Sequence, residues 1–251
     1  MTTQPVKQHN IEIEGNARSW KRKKLLQIVY NSFYRQIANA LGTSTGQGIL
    51  EIGSGIGAIK NVLPDCITSD IFPNPWLDRT ENAYALRFPE ESLQGIVLFD
   101  VWHHLQYPGS ALTEFARVLR PGGKVVLFEP AMGLAGRFVY GLFHHEPLGL
   151  RQSIQWEPPQ GETIGLNYYA AQGNCWRIFR QKSDPITKYP AFALKDTILM
   201  SALSYVASGG FSKPQLYPTA LYPFIVRIER VLDIIPSVFA TRMLVILEKE
   251  H

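Results

Sequence analysis

The first half of the chain alternates short, largely apolar runs with amphipathic segments. The runs are five to seven residues long and predict strands at 48–52, 66–70, 94–100 and 124–129. Apolar residues recur at helical spacing in 19–41 and 110–119, and a brief helix is expected at 58–63. Strands that are apolar throughout are typical of a parallel sheet covered on both faces. The alternation therefore predicts an α/β fold with a doubly wound, mostly parallel sheet.

The second half has a different pattern. Helical spacing predicts helices at 131–145, 193–207 and 222–235, and apolar runs predict strands at 213–219 and 241–249. Residues 146–190 have no clear period and are rich in Pro, Gly, Gln and aromatic residues. A connection of this length is uncommon in a compact domain unless it is functional or has structure of its own. We therefore predict that 146–190 is an inserted segment that covers a substrate.

The predicted cover contains aromatic and basic side chains that suit a sugar, an aromatic ring or a phosphate-bearing lipid carrier. Ordinary packing of the aromatic residues on the sheet is an equally good interpretation. The side chains concerned are Trp156, Tyr168, Tyr169, Trp176 and Phe179, with Arg151, Arg177 and Arg180.

Size and composition indicate one globular domain. The chain has 251 residues, a polar first segment, no apolar run long enough to span a membrane, and two cysteines without metal-ligand spacing. These features predict a cytoplasmic protein. Residues 1–40 carry seven Lys and Arg against two Glu, concentrated in 18–24. This basic segment is either a solvated helix face or a peripheral contact with an anionic substrate or the inner face of a membrane. No feature favours nucleic acid.

A glycine-rich stretch, ILEIGSGIG, follows the first predicted strand. Glycines at a strand–helix turn let the backbone approach a ligand, and the pattern fits either NAD or S-adenosylmethionine (SAM). Glu51 favours SAM, because a carboxylate would repel a pyrophosphate but attract the ammonium of an amino acid. The helix expected after the loop is also short, and no second glycine-rich half follows. Asp70, at the end of the second strand, suits the ribose of either cofactor.

Four blocks in the expected order resemble the class I SAM-dependent methyltransferases, in their small-molecule (type 11) branch. The blocks are ILEIGSGIG, TSD, NAYALRFPEESLQGIVLFDVWHHL and LRPGGKVVLFEP. The resemblance covers roughly residues 48–130. It implies a seven-stranded Rossmann-like sheet in one domain, with an N-terminal helical cap at 1–45, a SAM-binding core at 46–130 and the cover at 146–190.

The resemblance also implies roles for individual residues. Gly53 and Gly55, with Ser54 between them, would approach the methionine part of SAM, and Glu51 would orient its amino group. Asp70 would hold both ribose hydroxyls. The adenine would be bound by Asn82, at a position where the family usually has Asp, and by the backbone of Ala83. Asp100 and Val101 would line the methionine side.

Candidate general bases are His104, after the fourth strand, and the pair His144 and His145. The pair His103–His104 could equally serve packing. A metal site is not predicted, because adjacent residues such as His144-His145-Glu146 rarely ligate one ion and the sequence shows no third cluster. Asp100-Val101-Trp102-His103 also differs from the Asn/Asp-Pro-Pro-Tyr/Phe tetrad of amino methyltransferases that act on nucleic acids.

The sequence therefore predicts an enzyme that transfers a methyl group from SAM to a small-molecule, lipid-linked or glycan-linked acceptor, at oxygen, leaving S-adenosylhomocysteine. Two alternatives are kept: a SAM-binding protein without turnover, and an NAD-dependent oxidoreductase. The sequence leaves the acceptor and the oligomeric state open.

Overall fold

A single twisted sheet of seven strands organises the molecule. The computed structural model describes residues 4–165, 168–181 and 189–250. The strands are β1 (Ile49–Ile52), β2 (Ile67–Asp70), β3 (Arg79–Thr80), β4 (Leu93–Phe99), β5 (Leu119–Pro130), β6 (Phe192–Met200) and β7 (Arg242–Lys249). Their order is β3-β2-β1-β4-β5-β7-β6, and β7 runs antiparallel to both of its neighbours. The predicted doubly wound, mostly parallel sheet is confirmed.

Helices and short helical turns cover both faces of the sheet. The α-helices are α1 (Gln4–Arg22), α2 (Lys24–Leu41), α3 (Pro108–Val118), α4 (Leu134–Phe143), α5 (Leu203–Ser208), α6 (Tyr222–Leu232) and α7 (Pro236–Phe239). Single 3₁₀ turns lie at Ala58–Asn61, Trp102–His104 and Thr219–Leu221, and a π-helical turn lies at Trp176–Arg180.

The two covered faces explain why apolar residues of β4 occupy consecutive positions instead of alternating with polar ones. Ile96 and Leu98 of β4 face one core, which contains α3 and the π-helical turn. Val97 and Phe99 face the other core, which contains α2 and Tyr205 of α5. Each burial of a large apolar side chain contributes roughly 1.5–3 kcal/mol, so both faces of β4 contribute to stability.

Two predicted elements of the first half differ from the structure in detail. Residues 19–41 form parts of two helices, because Lys23 leaves helical geometry (φ −104°, ψ 87°) between α1 and α2. The brief helix at 58–63 is a 3₁₀ turn, Ala58–Asn61. Within the segment predicted as a cap, 1–45, α2 packs against β4 and β5. Helix α1 also reaches the glycine loop, because a Cβ on Gly55 would lie 3.5 Å from Cδ1 of Ile13.

Two predictions in the second half are wrong. The predicted helix at 193–207 is instead β6, a turn, and the short helix α5. Helix-favouring residues are overridden there by antiparallel pairing with β7 along the whole length of β6. The predicted strand at 213–219 is irregular chain that ends in the 3₁₀ turn at Thr219–Leu221, because β6 and not this segment fills the edge of the sheet.

Candidate active site

The glycine loop packs closely against the chain that leaves β4. Gly53, Gly55 and Gly57 all have positive φ, between 53° and 70°. A Cβ on Gly53 would lie 2.4 Å from Cγ2 of Val101, which is closer than any side chain can approach. Glycine is therefore required at position 53 by both backbone conformation and contact.

Ser54 fixes the loop to the neighbouring strands. Its backbone N–H donates to the Ser69 carbonyl at 2.8 Å, and its hydroxyl contacts the Glu51 carbonyl at 3.2 Å. The same hydroxyl accepts from the Ser69 N–H at 3.1 Å. These bonds join β1 to β2 beneath the loop, so the position of the glycines is set by the strands rather than by the loop itself.

Glu51 is a buried carboxylate at the end of β1. Its side chain is 1% exposed, and neither oxygen has a hydrogen bond of standard geometry to the described residues. Burial raises the pKa of Glu51 to about 8, although the nearby Ser54 and Tyr34 side chains partly offset this effect. A buried carboxylate without a partner costs free energy unless a donor binds it. An ammonium group of a ligand would meet that requirement.

Asp70 ends β2 and contacts the glycine loop. Its Oδ2 accepts from the Gly55 N–H at 3.3 Å, and its Oδ1 accepts from the Ile71 N–H at 2.7 Å. The carboxylate is thus held at the carboxyl edge of the sheet, beside Gly55, which is where the sequence predicted a ribose ligand. Because each oxygen has a second lone pair, these bonds leave it able to accept from hydroxyl groups.

Asn82 and Ala83 lie in a tight turn after β3. The Asn82 Oδ1 accepts from the Tyr84 N–H at 3.0 Å, and Asn82 pairs with Ala85 in an isolated antiparallel bridge. Ala83 is buried at 5% exposure. The turn therefore fixes the amide of Asn82. Within the described part of the chain, the amide nitrogen donates no hydrogen bond.

Asp100 has a partner that the sequence analysis missed. Its carboxylate forms a bidentate ion pair with Arg242, the first residue of β7, with Nη2 to Oδ2 at 2.8 Å. Arg242 is 1% exposed and also lies 4.4 Å above the Tyr205 ring. Asp100 adopts a left-handed backbone (φ 56°), an uncommon conformation that is frequent at functional sites. The carboxylate is thus aligned by Arg242, while Val101 contacts the glycine loop.

The 3₁₀ turn after Val101 places two imidazoles beside a carboxylate from the predicted cover. His103 Nδ1 lies 2.6 Å from Glu129 Oε2, and its Nε2 lies 3.4 Å from Glu146 Oε2. His104 Nδ1 lies 2.9 Å from the Tyr169 carbonyl, and its Nε2 lies 3.6 Å from Glu146 Oε1. The chain therefore brings Glu146, which the sequence analysis grouped with His144 and His145, to His103 and His104.

The charges of this cluster follow from burial and from the two carboxylates. Burial opposes the charged form of His103, but Glu129 and Glu146 raise its pKa to about 10. Burial and the neighbouring His103 lower the pKa of His104. Burial would raise the pKa of Glu146, but His103 and His104 lower it well below its usual range. One imidazole is thus positively charged and the other neutral near pH 7.

His144 and His145 are placed differently. His144 Nδ1 lies 3.7 Å from Glu146 Oε2, and burial lowers its pKa. His145 is exposed and stacks on His144, with ring centroids 4.9 Å apart. The structure therefore brings His104 and His144 to one carboxylate and leaves His145 outside that group.

The aromatic residues of 146–190 divide between packing and the site. Trp156, Trp176 and Phe179 belong to the core. Tyr168 is exposed and donates its hydroxyl to Glu146 Oε1 at 2.8 Å. Residues 166–167 and 182–188 of the predicted cover lie outside the described residues. Packing thus explains three of the five aromatic side chains.

Two functional candidates were missed from the sequence, Arg242 and Glu129. A signal for Glu129 was available, because an acidic residue stands at or next to the carboxyl end of each central parallel strand: Glu51, Asp70, Asp100 and Glu129. Glu129 Oε1 accepts from the Val101 and Trp102 N–H groups at 2.8 and 2.7 Å. No local pattern marks Arg242, which reaches Asp100 only through the antiparallel return of β7.

Basic residues 18–24 span the junction of α1 and α2. Lys23 Nζ donates to the Gly210 carbonyl at 2.6 Å and also contacts the Lys213 carbonyl. Lys21, Arg22 and Lys24 are exposed. One lysine of the basic segment is therefore a structural tether to the chain after α5. None of the described helices has both the length and the apolar character that crossing a bilayer requires.

Comparison with known protein families assigns the central part of the chain. Residues 50–127 match a family model described as a methyltransferase domain. The match includes the glycine loop, Asp70, the turn at Asn82 and the two imidazoles after β4. A comparison with curated proteins finds no match.

Solved structures share the fold at low sequence identity. A SAM-dependent methyltransferase from Thermotoga maritima, described as a possible histamine N-methyltransferase, is 13% identical with a TM-score of 0.53, over 95% of this chain and 99% of that one. A methyltransferase in complex with the Haloferax volcanii Trm112 activator is 12% identical with a TM-score of 0.51, over 94% of each chain. The [4+2]-cyclase SpnF is 12% identical with a TM-score of 0.51, over 88% of this chain and 80% of that one. This likeness concerns the fold alone, and it includes a protein described as a cyclase.

Proposed function

We propose that the chain, whose residues 50–127 match a methyltransferase domain, transfers a methyl group from SAM to a hydroxyl oxygen of a small-molecule, lipid-linked or glycan-linked acceptor. The observation that carries the proposal is the position of His103 and His104. They lie two and three residues after Val101, and Val101 lies against the glycine loop at Gly53. A hydroxyl acceptor must lose a proton, and imidazoles near the glycine loop can assist that loss.

We propose that SAM lies along the carboxyl edge of β1, β2 and β4. Glu51 would accept from its ammonium, and Gly53, Ser54 and Gly55 would face the methionine part. Asp70 would accept from the ribose hydroxyls. Asn82 and Ala83 would bind adenine, while Asp100 and Val101 would border the sulfonium side. The unpaired Glu51 and the acceptor oxygens of Asp70 support this orientation.

In this scheme the protein does little covalent chemistry, because the sulfonium already activates the methyl group. The residues align the acceptor oxygen, the methyl carbon and the sulfur, and they exclude water. The acceptor proton would pass to an imidazole that faces Glu146, either His104 or His144, each of which has a lowered pKa. His145 has the least support among the three predicted bases, since His104 and His144 each face Glu146 and His145 has no such contact within the described residues.

The proposed acceptor has an apolar part. Leu134, Phe138 and Leu142 form one face of α4 at four-residue spacing, and each is 59–66% exposed. Phe143, also exposed, directly precedes His144. This surface leads to the imidazole cluster and supports a lipid-linked acceptor approached from a membrane surface.

Titration calorimetry tests the cofactor assignment. SAM and S-adenosylhomocysteine should bind at one site per chain. Asp70→Ala should weaken binding roughly 10- to 100-fold, because charge-assisted hydrogen bonds to the ribose are lost. Asp65→Ala, an exposed acidic residue nearby, is the matched control and should bind normally. No heat of binding at millimolar SAM would refute the proposed function, and unchanged affinity in Asp70→Ala would refute the ribose role.

A further inference from the structure

Three potential metal ligands converge close to Val101, which contacts the glycine loop. One ligand atom from each of His103, His104 and Glu146 can be chosen so that all three lie within 4.8 Å of one another. His103 and His104 come from the 3₁₀ turn after β4, and Glu146 comes from the chain after α4. Two imidazoles and a carboxylate are a common ligand set for catalytic zinc, with further positions left open for water or substrate.

The outer nitrogen of each imidazole is already anchored. Nδ1 of His103 is bonded to the Glu129 carboxylate at 2.6 Å, and Nδ1 of His104 to the Tyr169 carbonyl at 2.9 Å. Both partners are acceptors, so each Nδ1 donates its proton outward. Each Nε2 can then bind an ion through its lone pair, and in His103, which is protonated in the metal-free protein, the ion displaces the Nε2 proton. This pattern is the usual outer shell of histidines that ligate metals, because it fixes both tautomer and ring orientation.

The inner distances suit an ion between the groups better than direct hydrogen bonds. Nε2 of His103 and of His104 lie 3.4 and 3.6 Å from Glu146 oxygens, longer than ordinary charge-assisted hydrogen bonds. Around a tetrahedral ion with bonds of roughly 2.0–2.1 Å, neighbouring ligand atoms are about 3.3 Å apart. The three side chains thus need only small movements to share one ion.

The carboxylate is oriented as well. Tyr168 donates to Glu146 Oε1 at 2.8 Å, and the Gln172 side-chain amide contacts Oε2. The side chains of His103 and Glu146 are 3% and 8% exposed, whereas that of His104 is 34% exposed. The cluster is therefore buried on one side and open to an entering ion or acceptor on the side of His104.

We propose that His103 Nε2, His104 Nε2 and the Glu146 carboxylate bind one divalent first-row transition ion, with Zn²⁺ as the best match to two nitrogens and one oxygen. Its part in the reaction rests on the proposed function. The acceptor hydroxyl binds the ion, which lowers its pKa. Its O–H bond would break and the proton would pass to solvent water on the open side of the cluster, at His104. The oxygen would then bond to the methyl carbon as the C–S bond breaks and its electron pair stays on sulfur. With the ion bound, His104 is a ligand and not the base.

The full-length chain, stripped with a chelator and returned to metal-free buffer, tests the ion site. Titration with ZnCl₂ should saturate at one ion per chain, confirmed by elemental analysis, while MgCl₂ should bind far more weakly. Tyr168→Phe removes a hydrogen bond that orients a ligand and should weaken Zn²⁺ binding about 10-fold. His104→Ala and Glu146→Gln remove or alter a ligand itself, so each should weaken binding more than 100-fold. With Co²⁺ in place of Zn²⁺, the visible spectrum should change in the ligand variants.

His145→Ala and Glu162→Gln are matched controls outside the cluster and should bind Zn²⁺ as the unaltered protein does. Thermal unfolding of each variant shows whether it is folded. No saturable Zn²⁺ binding, or equal binding in His104→Ala and Glu146→Gln, would overturn the assignment and leave an ion pair between His103 and its two carboxylates. SAM binding, measured separately, decides the proposed function, so the two failures are distinguishable.

Discussion

At the scale of single residues, the most informative feature is a carboxylate that is buried without a partner. Glu51 is the third residue of a four-residue strand whose other members are apolar, and burial raises its pKa to about 8. Proteins retain such groups where a ligand completes them, because the unliganded state otherwise bears the cost of desolvation. If Glu51 binds the ammonium of SAM as proposed, its protonation is coupled to cofactor binding.

This coupling predicts proton release on SAM binding. The raised pKa means that Glu51 is mostly protonated at pH 7 in the free protein, whereas an ammonium partner favours the ionised form. Calorimetry at pH 7 in buffers of different ionisation enthalpy should show release of close to one proton per SAM, which should fade above pH 8. Glu51→Gln should bind SAM more weakly and release none. Heats that do not depend on the buffer would contradict the role of Glu51.

The raised pKa of Glu51 also makes the stability of the fold depend on pH. Because the pKa is higher in the folded than in the unfolded protein, protonated Glu51 contributes fully to the free energy of unfolding below its unfolded pKa of about 4.3. This contribution is lost as pH rises through about 8. The free energy of unfolding of the SAM-free protein should therefore fall over this range, unlike that of Glu51→Gln.

At the scale of elements, the glycine loop is defined by contact as well as by conformation. Gly53 and Gly42 share a left-handed backbone, with φ of 70° and 74°, but only Gly53 would place a Cβ against Val101. Gly42 ends α2 in open space, where nothing lies within 4 Å of a Cβ. Comparing substitutions at Gly42 and Gly53 therefore separates the free-energy cost of a left-handed backbone from that of a clash with Val101.

Gly42→Ala should cost about 1–2 kcal/mol of unfolding free energy, the usual penalty for a left-handed non-glycine residue. Gly53→Ala should cost about 1–3 kcal/mol more, since Val101 must move, and SAM affinity should fall with it. Urea denaturation and SAM titration measure the two effects. Equal costs for the two variants, or normal SAM affinity in Gly53→Ala, would show that the loop tolerates a side chain there.

The exposed face of α4 and the basic segment at 18–24 give different expectations for membrane binding. If α4 meets lipid, Phe138→Ser with Leu142→Ser should abolish co-sedimentation with liposomes at high as well as low salt. Lys21→Gln with Lys24→Gln should reduce only the part that is screened by salt. Loss confined to the lysine variant would favour the basic segment, and absence of any co-sedimentation would argue for a soluble acceptor.

At the scale of the whole molecule, the site is assembled from both halves of the chain. Asp100 follows β4, and its partner Arg242 begins β7, the antiparallel strand near the end of the chain. The guanidinium is fully enclosed, whereas the Asp100 side chain is 31% exposed. The two members of the pair therefore differ in how well water can replace the lost partner.

Removing the charge of Asp100 should accordingly be the more damaging change. Asp100→Asn keeps a residue that tolerates positive φ but leaves Arg242 buried without a counter-charge, at a cost of about 3 kcal/mol. Arg242→Met leaves Asp100 partly hydrated and should cost roughly 1–2 kcal/mol. The double variant should be less destabilised than Asp100→Asn alone. Urea unfolding of SAM-free protein checks this order, and strictly additive losses would contradict it.

Hydrophobic pattern was sufficient for the local elements that are buried on both faces. The runs at β1, β2, β4 and β5 are explained by a central position, since most of their residues would otherwise expose apolar surface to water. The short acidic and glycine motifs at Glu51, Gly53 and Asp70 are also local, because strand ends and one turn hold them. Sequence alone therefore determined the parallel core and the positions of the glycine loop and of these acidic residues.

Long-range pairing decided the rest. β6 has residues that favour a helix, and only hydrogen bonding to β7 makes it a strand. Glu146 lies 42 residues from His104 in sequence and stands 3.6 Å from its Nε2. Arg242 reaches Asp100 across a separation of 142 residues. Such contacts depend on which strands become neighbours, a property of the whole sheet that no local pattern records. The tertiary structure alone therefore brought together the imidazole–carboxylate cluster and the Asp100–Arg242 pair.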